Sequence, residues 1–388
     1  MDSLCQDTLL AVEQNSNALM YLQIGACHNG RNKGFFHSKN SDDYNKLGTA
    51  IGTNTHLKRL MIDNLSNNVT LGSTDATGFY DGVRRNSTIT DLLLSHLNRE
   101  KVGVTHEVLR ACQENKNLVK LHLYEVSLDH QLIVEALRGC TNLKKIKIAM
   151  SGLDDDRVLQ IVDAIRGYTS IEELELFNNA IEDRGCEALA TLRNVRSLDL
   201  AVNSVGNEGA IAIANSLPEN KFLQRCNLDY NQAVGARVSD DFCRSLCNTS
   251  SINDIYSSNH TLLSISFDRG DTGAKLASLL KLNRSTENKR HVAIKKILLH
   301  YKDDYDMEPL FDLSLDGERD LKALPYVLSW FETAKLLRHI LFPVGDVPRD
   351  LEMKKISAIY QFVNAMPMLF IPATHGKGGG NKRKRSIG

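Results

Sequence analysis

The spacing Leu-x-x-Leu-x-Leu recurs eight times along the 388 residues, and it restricts this chain to a repeat architecture. The occurrences are Leu57-Leu60-Ile62, Ile89-Leu92-Leu94, Leu118-Leu121-Leu123 and Leu143-Ile146-Ile148, followed by Ile171-Leu174-Leu176, Val195-Leu198-Leu200, Leu223-Cys226-Leu228 and Leu262-Ile265-Phe267. Successive starts lie 32, 29, 25, 28, 24, 28 and 39 residues apart. The last interval is long enough to hold a shortened, divergent unit around Ile252 and Ile255. Side chains of a strand alternate between its two faces, so the last two apolar positions of each occurrence share one buried face. The residues between them look the other way.

Between occurrences the spacing switches to helical. Ile181, Leu189 and Leu192, then Val205, Ile213 and Leu217, stand on one face of a helix with small alanines among them. Asp154, Asp155 and Asp156 open a further helix, Arg157 to Ile165, where carboxylates cap the first turn and complement the helix dipole. Asn179, Asn203 and Asn231 follow three strands at the outgoing turn, where a buried amide can satisfy backbone groups that the turn leaves unpaired. Val126 and Ser151 hold that place in two other units.

A strand, a turn and a full helix in ~28 residues resemble the leucine-rich repeat of the ribonuclease-inhibitor class. The resemblance covers residues 50–275 and is firmest over 118–231. It implies an α/β solenoid, a horseshoe with a parallel sheet on the concave face and helices on the convex face. The domain reading is an N-terminal helix and flexible loop over 1–49, repeats over 50–283, a helical cap over 284–374 and a basic tail over 375–388.

The flanks carry weaker patterns. Thr8 to Ile24 reads as one helix and His28 to Asp43 as a polar loop. The segment from Lys46 to Thr55 reads as the helix leading into the first strand. After residue 284, apolar spacing predicts helices over Val292–Tyr301, Tyr326–Ile340 (with the only tryptophan, Trp330) and Lys355–Phe370.

Composition excludes more than it identifies. Hydrophobic residues make 42 % and charged residues 24 %, an ordinary globular balance. The formal charge is zero, but Lys377, Lys382, Arg383, Lys384 and Arg385 leave 42 basic against 47 acidic residues elsewhere. The body is therefore mildly acidic, which argues against specific nucleic-acid binding. The tail reads either as a nuclear localisation signal at Lys382, Arg383, Lys384 and Arg385 or as a solvated run of cations. The first residues lack a secretory pattern, and no stretch reaches the ~18 apolar residues that span a bilayer. A protein of the cytoplasm or nucleus without a membrane contact is expected. Eight scattered cysteines, at 5, 27, 112, 140, 186, 226, 243 and 247, fit buried thiols better than a disulfide framework, and the five Asn-x-Ser/Thr sequons (Asn68, Asn86, Asn248, Asn259, Asn283) fit chance.

No catalytic or cofactor motif is assembled. Gly25-Ala-Cys-His-Asn-Gly30 has phosphate-loop spacing but lacks the lysine and the hydroxyl residue, and no apolar strand is expected before it. Cys243 and Cys247 lie four apart with His260 beyond, a set too small for zinc and better used in packing. No cofactor is expected, and a non-catalytic monomer that binds another protein is the leading reading. Regulation of an enzyme, as by ribonuclease inhibitors or the activators of Ran-type GTPases, and substrate reception for ubiquitin ligation are the alternatives that the repeat class implies.

The candidate surface is the exposed face of the strands. It comprises Lys120, His122 and Tyr124, then Lys145 and Lys147, then Glu173, Glu175 and Phe177, then Asp199, and last Arg225, Asp229 and Tyr230. Arg59, Met61, Asp91, Leu93, Ser197 and Asn227 extend the same face. Tyr124, Phe177 and Tyr230 are expected near one edge, and aromatics ringed by charge have the composition of an interface hot spot.

Overall fold

A computed structural model describes residues 3–25, 34–65, 71, 74–97, 102–127, 129–168, 171–231, 236–267, 273–285 and 287–300. The chain divides into two compact units, residues 1–248 with 257–293, and residues 249–256 with 294–388. The repeats belong to the first.

That unit opens with α1 (Ser3–Glu13), β1 (Tyr21–Gly25), β2 (Gly34–Phe36) and α2 (Ser41–Thr53). Strand and helix then alternate: β3 (Arg59–Asp63), α3 (Thr77–Arg85), β4 (Asp91–Leu97), α4 (Val102–Gln113), β5 (Lys120–Val126), α5 (His130–Gly139), β6 (Lys145–Ala149) and α6 (Asp155–Ile165). The series continues with β7 (Glu173–Glu175), α7 (Asp183–Ala190), β8 (Ser197–Asp199), α8 (Asn207–Ser216), β9 (Arg225–Leu228), α9 (Ala236–Leu246), β10 (Ser264–Phe267) and α11 (Ala274–Arg284), while most of α10 (Ile252–Ser257) and of α12 (Lys289–His300) belongs to the second unit. Among the described residues ten strands form one parallel sheet, ordered β10-β9-β8-β7-β6-β5-β4-β3-β1-β2. This is the solenoid that the repeat implied.

Register explains why the leucines recur. Leu60, Leu92, Leu121, Ile146, Leu174, Leu198, Cys226 and Ile265 occupy one row across the sheet, all buried. Each such side chain withdraws apolar surface worth about 2 kcal/mol from water and packs against its counterparts in the neighbouring units. Adjacent helices pack on one another in turn, α2 on α3 and α7 on α8 most extensively. At the α2–α3 crossing a Cβ on Gly82 would meet Gly48 O at 1.8 Å, so glycine is what lets these helices approach.

The N-terminal expectation needs correcting. The helix ends at Glu13, Asn15 turns the chain in the left-handed region at φ 51°, and Tyr21–Gly25 is a strand paired with β3. Leu19, Leu22 and Ile24 are a ninth occurrence of the spacing, and Leu22 and Ile24 lie in register with Leu60 and Ile62. The expected polar loop also holds β2, the outermost strand, on which α1 rests through Phe35 N–H to Thr8 Oγ1 (3.2 Å). A strand therefore does precede the Gly25–Gly30 spacing. Gly25 itself, at φ 114°, lets β3 come so close that a Cβ would sit 1.8 Å from Asp63 O. Residues 26–33 lie outside the described residues.

Two further expectations change at the other end. Residues 252–257 form a helix, so the sheet passes directly from β9 to β10. The helix predicted over Val292–Tyr301 begins earlier, as α12, and is described as far as His300. The helices predicted over 326–340 and 355–370, and the tail with Lys382–Arg385, lie outside the described residues.

The turns are held by two ladders of asparagines. Asn203 Nδ2 donates to Leu176 O (3.0 Å), Leu200 O (3.0 Å) and Ala201 O (3.2 Å), while its Oδ1 accepts from Ile181 N (3.1 Å). Asn179 and Asn231 repeat the arrangement one unit to either side. A second ladder stands three residues before the first leucine of a unit. Asn54, Asn86, Asn115, Asn220 and Asn259 each accept backbone N–H groups of the incoming strand and donate back to the preceding unit, and all five are buried. Three of the sequons are thus structural. Asn86 and Asn259 belong to this ladder, and Asn283, fully buried, donates to Leu262 O at 2.6 Å.

Candidate functional site

The exposed face of the sheet carries three rows of side chains, set by the strand register. The first runs Arg59, Asp91, Lys120, Lys145, Glu173, Ser197, Arg225 and Ser264. The second runs Gln23, Met61, Leu93, His122, Lys147, Glu175, Asp199, Asn227 and Ser266. The third begins Asp63, Ser95, Tyr124 and Ala149 and continues at the ends of the next strands with Phe177, Ala201 and Asp229.

In the first two rows the charges largely answer one another. Asp91 takes Arg59 at 2.9 Å and Lys120 at 3.4 Å. Lys145 bridges Glu173 and Glu175, both at 2.6 Å, and Lys147 reaches Glu175 at 3.1 Å. Burial works against the charge on Glu175, but hydrogen bonds from both lysines prevail and hold its pKa below the ordinary value. His122 sits beside these groups with a buried Nε2 that has no hydrogen-bond partner. Burial, then Lys145, push its pKa down to about 4, although Glu175 opposes the shift, so the imidazole is neutral near pH 7.

Asp199 and Asp229 differ from the other acids. Neither forms an ion pair among the described residues. Asp199 accepts from Ala201 N at 3.0 Å, and burial raises its pKa. Arg225 is exposed at the start of β9, with its Nε 3.4 Å from Ser197 Oγ.

The aromatic side chains divide into two groups. Tyr124 and Phe177, both in the third row, have ring centroids 6.4 Å apart. His96 meets Tyr124 edge-on at 5.4 Å, and the Lys147 ammonium lies 4.6 Å from the Phe177 centroid. The cation and the rings thus form one cluster, an arrangement that stabilises the charge through the ring quadrupole. Tyr230 stands one residue beyond the third row, so it falls on the left-handed corner of its unit at φ 58°. There it is 69 % exposed. The single-residue offset comes from Asp229, which holds the place that Phe177 holds in its own unit.

Sequence reasoning missed the group around Asp63. This buried carboxylate accepts from Ser95 Oγ at 2.7 Å and meets His96 Nδ1 at 2.8 Å, and His96 Nε2 lies 3.6 Å from Glu125. Serine and histidine both turn to the carboxylate and not to each other, so the set does not activate a nucleophile. It ties three consecutive units together. The signal in the sequence is that Asp63 and Ser95 hold the strand position that Tyr124 holds on β5.

Cys112, Cys140, Cys186, Cys226 and Cys243 are buried free thiols, and burial raises Cys140 and Cys226 to about 12. Cys243 packs in the core with Cys247 against it. Among the described residues no three His, Cys, Asp or Glu side chains cluster as a metal site, and no helix is long and apolar enough to cross a membrane.

A family profile described as Leucine Rich repeat matches residues 169–190 and 191–214. No curated protein sequence matches the chain. Among solved structures, an internalin C2 of Listeria monocytogenes str. 4b F2365 is 14 % identical and covers 69 % of this chain and 93 % of its own, with a TM-score of 0.36. The tropomodulin C-terminal domain of Caenorhabditis elegans is 17 % identical and covers 46 % of this chain and all of its own, with a TM-score of 0.30. The recurring leucine register, the asparagine ladder across Asn179, Asn203 and Asn231, and the family match at 169–214 make this chain a leucine-rich repeat protein.

Proposed function

We propose that the chain is a recognition module that holds a partner protein against the exposed face of its sheet, with Tyr124, Phe177 and Lys147 as the centre of the contact. The observation that carries this reading is the joined cluster of two rings and one cation beside the paired charges of Lys145, Lys147, Glu173 and Glu175. Aromatic side chains bring large contact area at low entropic cost, and they concentrate binding energy when charged neighbours exclude water around them. The paired charges of the first two rows then serve orientation more than affinity. The reading includes no cofactor and no catalytic step.

Affinity purification with mass spectrometry tests it, comparing the wild-type chain with Tyr124→Ala/Phe177→Ala. Loss of specific partners in the variant is expected. Identical partner sets would overturn it. We also propose that Lys382–Arg385 act as a nuclear import signal, for which a fluorescent fusion lacking residues 377–388 should lose nuclear signal relative to the full chain.

A further inference from the structure

At the end of each strand the chain leaves the sheet through a residue in the left-handed region. The series is Asn64 (φ 39°), His96 (52°), Glu125 (52°), Met150 (53°), Asn178 (54°), Val202 (56°) and Tyr230 (58°). Non-glycine residues pay for this conformation, asparagine least and a β-branched residue most. The first three corners are polar, so the backbone geometry does not require an apolar side chain there. Met150, Val202 and Tyr230 are nevertheless apolar or aromatic and are 37 %, 40 % and 69 % exposed. Val202 combines two unfavourable features, a strained backbone and an apolar side chain in water. Neither is compensated among the described residues.

These corners adjoin one another. Met150 N–H donates to Asn178 O at 2.9 Å, Asn178 N–H to Ala201 O at 2.8 Å, and Val202 N–H to Asp229 O at 2.8 Å. The result is a ridge along the edge of units β6 to β9, broken only by the polar Asn178. On its sheet side lie Asp199 and Asp229, which form no ion pair among the described residues, unlike Asp91, Glu173 and Glu175 on the same face. Arg225, the nearest cation on β9, is four residues from Asp229, roughly 13 Å along an extended chain. Strain that persists at an exposed position points to a surface whose shape is used.

We propose that the ridge of Met150, Val202 and Tyr230, with Asp199 and Asp229 beside it, docks a polypeptide segment that presents lysine or arginine next to aliphatic or aromatic side chains. The apolar groups cover the ridge, and the cation takes the place that Arg59, Lys120, Lys145 and Lys147 take for the other acids of the face. An anionic partner is excluded by the same two carboxylates. The proposal rests on the reading of the chain as a protein-binding module and assigns a chemistry to one of its edges.

The probe is a display library of random twelve-residue peptides selected on the immobilised full chain, with enriched peptides then synthesised and measured by fluorescence anisotropy. Enriched sequences are expected to combine Lys or Arg with Leu, Ile, Phe, Tyr or Trp. Asp199→Asn/Asp229→Asn should weaken the best peptide by roughly tenfold and flatten its salt dependence, because the amides keep the local hydrogen bond but lose the charge. Val202→Asn, which relieves the backbone, should weaken it similarly while raising the thermal midpoint, so lost binding is not lost folding. Enrichment of acidic or charge-neutral peptides, no enrichment, or binding unaffected by these variants overturns the proposal. So does binding to neutral phosphatidylcholine vesicles in place of peptides. Tyr124→Ala separates the two readings. Peptide affinity unchanged by it but lost in the ridge variants upholds the ridge alone, and the converse leaves only the central cluster.

Discussion

Val202 shows how much one side chain can reveal about a repeat. Its neighbours in the corner series include Asn64 and Asn178, and asparagine is the residue type that tolerates positive φ best after glycine, because its short amide can bond the local backbone. Valine has no such compensation, and its Cβ branch crowds the following carbonyl. Val202→Asn is therefore expected to stabilise the fold by about 1 kcal/mol, read as a higher midpoint in thermal denaturation. A lower midpoint would mean that the corner is not strained. His122 makes a second prediction at this scale. Its pKa is lowered to about 4 in the folded chain, by burial first and Lys145 next, against 6.5 when unexposed to these effects. The unfolded chain therefore binds the extra proton between those values, and stability must fall as pH drops from 6.5 toward 4. His122→Gln should remove that part of the acid sensitivity. Equal urea-midpoint losses in wild type and variant over this pH window would refute the assignment.

At the scale of the element, the unit is a strand whose carbonyls are handed to a side chain. Where the turn residue is Asn179 or Asn203, the preceding strand is only three residues long, because the amide takes the last carbonyls. Where the same place holds Leu97 or Val126, the strand runs on to seven residues and the apolar side chain is buried instead. Asn203→Ala leaves the Ile181 N–H without an acceptor and takes one of two donors from Leu176 O, Leu200 O and Ala201 O, which keep Asn179, Asn231 and Asn178 N–H, a loss of about 2 kcal/mol in urea unfolding. A loss under about 1 kcal/mol would show that water replaces the amide. Helix starts are shared in the same way. Asp183 Oδ1 accepts from Gly206 N at 2.7 Å and Gly209 N at 2.9 Å, so a carboxylate at the start of α7 caps α8. The strands from β3 onward and this asparagine ladder could be read directly from the residues, because apolar period and turn chemistry are local. The ladder at Asn54, Asn86, Asn115, Asn220 and Asn259 was equally regular, three residues ahead of each leucine. Its asparagines precede the apolar pattern and do not follow it, so the strand period alone does not mark them. The Leu19-Leu22-Ile24 strand was missed because Thr8 to Ile24 also satisfies a helical period, and only its pairing with β3 decides between them. The offset of Tyr230 needed the register of the corner, which side-chain type does not encode.

For the whole repeat unit, the two ladders complement each other along the chain. Early interfaces are held by the incoming asparagines, as Asn86 holds Ile51 O and Asn115 holds Ile89 O. Middle interfaces are held by the outgoing ones, as Asn179 holds Ile148 O and Asn203 holds Leu176 O. Between β5 and β6 neither is present. Cys140 stands in the incoming ladder and gives Cys112 O only a thiol contact of 3.1 Å, and Ser151 stands in the outgoing one, accepting from Val126 N at 3.3 Å. Stability in a solenoid is nearly a sum over neighbouring interfaces, so the weakest interface decides where the array divides. Native-state hydrogen exchange should therefore resolve two cooperative blocks, one ending with β5 and one beginning with β6. Cys140→Asn would extend the incoming ladder across the gap, donating to Cys112 O and accepting from the N–H groups of Asn142 and Leu143 as Asn220 does for Phe222 and Leu223. The variant should gain about 1 kcal/mol and bring the exchange of the two blocks closer together. Blocks that divide elsewhere, or a variant whose blocks stay as separate as before, would place the weak joint outside the ladders and in the packing of the helices.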